Sequence, residues 1–223
     1  MKIVALVPAY NEEKRIKETL AAIQTIAQID DILVINDGST DRTSKIAQAC
    51  GARVLELEGN VGKGEALNRG ARAVEADIVL LLDADLGSSA AQGDKLLVPL
   101  LSNQADLTIA RFPPARKKGG FGLVKGLATR AIAREGLRVE SPLSGQRAMS
   151  KKVLDDVLPF HSGYGIEVGM TIRALRKGYR LMEVPVEMTH AETGRDLKGF
   201  LHRGRQYRDV LRVIIAEGRR RKS

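Results

Sequence analysis

Along the first 110 residues, short apolar runs alternate with stretches of helical period, and each run ends in a polar motif. KIVALV (Lys2–Val7), DILVIN (Asp31–Asn36), RVLEL (Arg53–Leu57) and DIVLLL (Asp77–Leu82) all have strand length. DIVLLL is apolar almost throughout, as a strand covered on both faces must be. Between the runs, Ile16, Leu20 and Ile23 set a helical period over Asn11 to about Ile26. A second helix is expected from a cap near Ser39 or Thr40, and a third over Val61–Val74. A helix over about Ala91–Leu101 and a strand over Asp106–Ala110 follow. This β-α-β-α order predicts an α/β fold, its parallel sheet flanked by helices on both faces.

The regular pattern stops at RFPPARKKGGFG (Arg111–Gly122), where prolines, glycines and basic residues predict a mobile loop. Beyond it the sequence predicts a helix over about Leu123–Arg134, a turn at Ser141–Gly145 and a helix from Ile166 to Lys177. A strand over about Tyr179–Met188 and an amphipathic helix over about Gly199–Glu217 complete the expectation. That helix sets Phe200, Leu201, Tyr207, Val210, Leu211, Ile214 and Ile215 near one face, with a basic remainder. The 223 residues suit one domain, 1–223.

The single cysteine, Cys50, excludes an internal disulfide or a CxxC metal site. No run approaches the ~20 apolar residues of a membrane span. MKIVALVPAYNEE meets acidic residues too early for a secretory signal, so a cytoplasmic protein is expected. The net charge is +9, but residues 1–110 carry −5, whereas 111–147 and 195–223 carry +7 each. Such patches attract phosphorylated small molecules, anionic lipid or nucleic acid. Four Tyr, four Phe and no Trp offer few stacking platforms, so no nucleic-acid partner is expected.

Ligands of doubly wound sheets bind beyond the carboxyl ends of the strands. PAYNEE, NDGSTD, GNVGKGEA and DADLG fall there, after strands one to four. Asp83 and Asp85 leave the most buried strand at i and i+2, where two carboxylates can converge on a hard divalent cation, Mg2+ or Mn2+. Lys63, between Gly62 and Gly64 at a helix start, stands where a backbone can approach phosphate. Without a following Ser or Thr it is not a P-loop.

VPAYNEE, NDGSTD, NVGKGEALNRG and LLDADL, in that order over residues 7–86, resemble the GT-A-fold, family-2-like nucleotide-sugar glycosyltransferases. SPLSGQRA, GYGIEVG and the segment ending at His190 extend the resemblance. GKGEAL, the DxD strand and GYGIEVG look closest to glucosyl-3-phosphoglycerate synthases. The resemblance implies a Rossmann-like, mixed but mostly parallel sheet, a nucleotide-sugar half at 1–110 and an acceptor half at 111–223. It implies donor contacts from Pro8, Ala9, Tyr10, Glu12, Asp37, Lys63, Asp83 and Ala84, with Asn36 sharing the base-reading position with Asp37. Asp85 and His190 would be metal ligands. Gly119, Gly120, Ser144, Gly145, Gln146 and Tyr164 would meet the acceptor, and Glu167 would face sugar and acceptor as base or charge stabiliser.

Two places depart from the phosphoglycerate-type pattern. Phe121 follows the glycine pair where those enzymes carry arginine, and Ala191 and Glu192 follow His190 where they carry Arg and Asn. Lys117, Lys118, Lys125, Arg130 and Arg147 are the candidate replacements. The expected activity is metal-dependent transfer of a hexose, glucose from UDP-glucose foremost, to a small anionic acceptor. The alternatives are a transferase to a polyprenyl phosphate at an anionic membrane and a non-catalytic nucleotide-sugar or nucleic-acid module. Self-association as a homodimer through helices of the second half is a further expectation.

Overall fold

A computed structural model describes residues 1–113, 122–188 and 197–220, with side chains of 197–203, 205 and 220 excepted. The strands are β1 (Ile3–Ala9), β2 (Asp31–Asn36), β3 (Arg53–Glu56), β4 (Ile78–Leu81), β5 (Leu107–Arg111), β6 (Arg147–Ser150) and β7 (Leu181–Pro185). They form one sheet in the order β3-β2-β1-β4-β6-β5-β7. Only β6 is antiparallel to its neighbours. The mixed, mostly parallel sheet is therefore the one expected.

Alternation along the strands divides the core. Ile3, Ala5 and Val7 of β1 join Leu80 and Leu82 on one face, beneath α1 (Ile16–Gln24), α2 (Thr43–Ala49) and α4 (Asp94–Leu101). Val4 and Leu6 join Val79, Leu81 and Ile109 on the other, beneath α3 (Lys63–Ala73), α6 (Lys151–Val157) and α7 (Ile166–Arg176). Residues two apart share a face of a strand, so a continuously apolar run feeds two cores. A third cluster joins α5 (Gly122–Ala133), α7 and α8 (Leu197–Arg220) through Val124, Ala128, Ile172 and Val210.

Several expected boundaries move, for local reasons. α1 begins at Ile16 instead of Asn11, because Asn11 adopts φ 56° and its amide donates to Ser39 Oγ at 3.0 Å. α2 begins at Thr43 instead of near Ser39, because the Thr40 amide donates to Asn11 Oδ1 at 2.9 Å. These bonds lace PAYNEE to NDGSTD. The fourth helix opens as a 3-10 segment, Gly87–Gly93, and the last strand is shorter than expected. β6 and α6 have no counterpart in the sequence expectation. On α8 the apolar residues divide: Val210 and Val213 are buried, whereas Tyr207, Leu211 and Ile215 are exposed. The single expected apolar face is thus corrected to an inner stripe and an outer one, because Asp209 and Glu217 share the inner side with the valines. Most of the expected loop, residues 114–121, lies outside the described residues.

Candidate active site

The lone antiparallel strand builds the site. Because β6 runs against β4, with Leu81 opposite Arg147, the residues just before β6 arrive at the carboxyl end of β4. There Gln146 Nε2 donates to Asp83 Oδ2 at 2.7 Å. Lys63, at the start of α3, donates from Nζ to Asp83 Oδ1 at 2.6 Å and stands 3.8 Å from Glu167 Oε1. Three segments far apart in sequence thus meet around one ammonium. Burial disfavours that charge, but the carboxylates of Asp83 and Glu167 outweigh it and raise the lysine pKa above its ordinary value.

Space around Lys63 is limited by Gly145. A Cβ there would lie 2.7 Å from Lys63 Nζ and 3.4 Å from Asp83 Oδ2. Gly64 lets α3 approach the His161 carbonyl, 2.3 Å from the place of a Cβ. The Asp37 carboxylate is buried and accepts from the amides of Val61 and Gly62, at 2.7 and 2.9 Å, holding the turn that presents Lys63. Asn36 donates to Glu56 at 2.6 Å and accepts from the Ser39 amide. Pro8 and Ala9 lie at the end of β1, Tyr10 is exposed beyond it, and the Ala84 carbonyl accepts from Thr19 Oγ1.

Asp83 and Asp85 share this end of the sheet but take different partners. Asp85 faces Arg15 at 3.7 Å, on the α1 side. Burial, and then the negative charge of Asp85, raise the carboxyl pKa of nearby Glu12. Among the described residues, no three His, Cys, Asp or Glu side chains are grouped to hold an ion by themselves. The donor set nevertheless fits Mg2+ or Mn2+: such ions use one or two carboxylates and complete their shell with water and substrate phosphate. Crowded negative charge at Glu12, Asp83 and Asp85 favours a cation beside an incoming diphosphate. His190, Gly119 and Gly120 lie outside the described residues, as do Lys117, Lys118, Phe121, Ala191 and Glu192.

Arg147 corrects the expectation that it could replace a missing acceptor cation. It is fully buried, and its guanidinium donates to the carbonyls of Ser144 and Pro142 and to Thr171 Oγ1. Burial lowers its pKa to about 10, with Glu167 and Glu183 opposing the fall. Its geometry ties the Ser144–Gln146 turn to α7, the helix that carries Glu167. Lys125 and Arg130 remain exposed on α5. Tyr164 is exposed in the 3-10 turn Gly163–Gly165, against which α8 sets Asp209.

Sequence reasoning missed Arg15, Arg147's internal role and a buried polar cluster behind Glu167. In that cluster Glu217 Oε1 accepts from Arg173 Nε at 2.8 Å and meets His161 Nε2 at 2.8 Å. Arg176 joins through the Glu217 carbonyl and Glu135. A usable signal existed only for Arg15, which follows PAYNEE at the turn into α1.

The sequence model of glycosyl transferase family 2 matches residues 4–158. The chain belongs to that family. Glucosyl-3-phosphoglycerate synthase of Mycobacterium tuberculosis is 34% identical over 194 residues, 76% of this chain and 60% of that protein. Glycosyltransferase AglJ of Haloferax volcanii is 29% identical over 200 residues, 87% of this chain and 65% of the relative. The chain therefore spans about three-fifths of the length of such curated relatives. The crystal structure of the M. tuberculosis synthase with Mn2+, UDP-glucose and phosphoglyceric acid superposes with a TM-score of 0.80 at 29% identity. The match covers 97% of this chain and 79% of that one, so the two share the GT-A fold.

Proposed function

We propose that this chain transfers glucose from UDP-glucose to a small anionic acceptor of the phosphoglycerate kind, in a reaction dependent on Mg2+ or Mn2+. The observation that carries the reading is the convergence of Lys63, Asp83, Gln146 and Glu167 at the carboxyl end of β4. The M. tuberculosis synthase, with its UDP-glucose, Mn2+ and phosphoglyceric acid, supports the substrates.

In this reading Asp85, with His190 by resemblance, would hold the metal ion, whose chemistry is to offset charge on the departing diphosphate. Lys63 binds the anionic donor, and Asp83, itself held by Gln146, fixes the ammonium in place while offering oxygen to the ribose. Asp37 shapes the turn behind Lys63, and Pro8, Ala9, Tyr10 and Ala84 line the nucleotide. Glu167, at the start of α7, stabilises positive charge developing on the sugar. The 12% exposure of its side chain keeps that interaction strong. Ser144 and Tyr164 flank the acceptor, whose anionic groups draw on Lys125 and Arg130 and on the basic segment before α5.

A crystal soaked with UDP-glucose and Mn2+ tests the reading. Density for the diphosphate between Lys63 and Asp85, with the sugar toward Glu167, is expected. Nucleotide density elsewhere, or none at saturating donor, contradicts it.

A further inference from the structure

The outer face of α8 has a composition that packing on its own domain does not explain. Tyr207, Leu211 and Ile215 are 42%, 36% and 48% exposed, and they recur every four residues. Arg208, Arg212 and Arg219 are exposed beside them. At about 100° per residue the six side chains span an arc roughly 140° wide, apolar along one edge and basic along the other.

The described acids of α8 turn inward. Asp209 sits against Gly163, its Oδ2 2.3 Å from where a Cβ would be, and Glu217 is held by Arg173 and His161. Every exposed charged side chain described on this helix is therefore an arginine, and the sequence continues Arg219–Lys222 with four basic residues. No helix among the described residues is long and apolar enough to cross a membrane.

We propose that this face of α8 docks on an anionic lipid bilayer, lying in the interface with its apolar edge among the headgroups and its arginines on lipid phosphates. An arc that is half apolar and half arginine, with charge of one sign, matches such a surface. A second copy of the chain fits worse, because two-fold pairing would set the arginines against one another. Nucleic acid fits worse too, since Tyr207 is the only aromatic group on the arc and the apolar edge would be left wet. The inference does not depend on which acceptor the enzyme uses.

Cosedimentation with vesicles of equal parts phosphatidylglycerol and phosphatidylcholine, against phosphatidylcholine alone, tests it. The full chain should bind only the anionic vesicles and be released by high salt. The variant R208Q/R212Q/R219Q should lose roughly a hundredfold in partitioning, about fivefold per arginine. The pair Leu211→Ser and Ile215→Ser should weaken binding while the thermal midpoint and donor binding stay unchanged, because these side chains are already exposed. Failure of the wild type to bind, or equal binding by the arginine variant, overturns the proposal. So does sedimentation velocity showing a dimer that Leu211→Ser breaks in a chain that ignores vesicles. Tight duplex DNA binding without vesicle binding has the same force.

Discussion

Replacing Glu217 with Gln probes the anchor that holds α8 against α7 and the Gly163–Gly165 turn. Glu217 is 1% exposed, and its carboxylate meets Arg173 and His161 at 2.8 Å each. Burial pushes its pKa up, but the hydrogen bonds and charges of His161 and Arg173 prevail and hold it at about 2, against an ordinary 4.5. At about 1.4 kcal/mol per pH unit, this difference represents roughly 3 kcal/mol of folding stability. The folded carboxylate holds its proton less tightly than the unfolded one. Its contribution is therefore complete above about pH 4.5 and is lost as the pH falls toward about 2. Glu217→Gln removes the titration and leaves Arg173 buried beside a neutral amide. Breaking a buried pair in this way costs about 3–5 kcal/mol. For a chain of this size each kcal/mol shifts Tm by about 2–4 °C, so the variant should melt roughly 6–20 °C lower at neutral pH. Calorimetry at neutral pH and in acid measures this, and the gap between wild type and variant should narrow in acid. A neutral-pH difference under about 2 °C, or a gap untouched by acid, would refute the reasoning.

Lys63→Met should lower kcat/KM by about ten- to a hundredfold, the worth of a charge-assisted contact, with an unchanged circular dichroism spectrum. Unaltered steady-state kinetics would exclude the lysine from the site. Gly145→Ala should fold normally, since the atom it meets is the mobile end of Lys63, yet raise the donor KM several-fold. Kinetics that match the wild type would mean that Lys63 need not stay where it stands. Asp85→Asn should abolish the extra Tm that Mn2+ adds to UDP-bound protein, and EDTA should do the same to the wild type. Equal protection by UDP with and without metal would contradict the role given to Asp85.

Much of this arrangement is legible in the sequence because strands buried on both faces leave a dense apolar signal. DILVIN marks β2 to the residue, and Ile16, Leu20 and Ile23 are all fully buried. The polar motifs after β1 to β4 were legible for the same topological reason. β6 was not, because RAMS is four residues long and opens with an arginine, a residue ordinarily exposed. Its burial depends on carbonyls of Pro142 and Ser144 and on Thr171, contacts that exist only once α7 has packed. The two faces of α8 escaped for a related reason. Helical period alone groups Tyr207, Leu211 and Ile215 with Val210 and Ile214, and only the inward acids reveal which side the domain covers.

The most direct test of the account is transfer itself. Purified chain incubated with labelled UDP-glucose, 3-phosphoglycerate and Mn2+ should yield a labelled, singly glucosylated phosphoglycerate, with UDP released in equal amount. The product should disappear with EDTA and fall steeply in Lys63→Met. Release of UDP and free glucose alone, or no turnover with phosphoglycerate while another acceptor class is glucosylated, would contradict the proposed acceptor. No turnover with any acceptor, from a protein that still binds UDP-glucose and metal, would contradict the claim of catalysis.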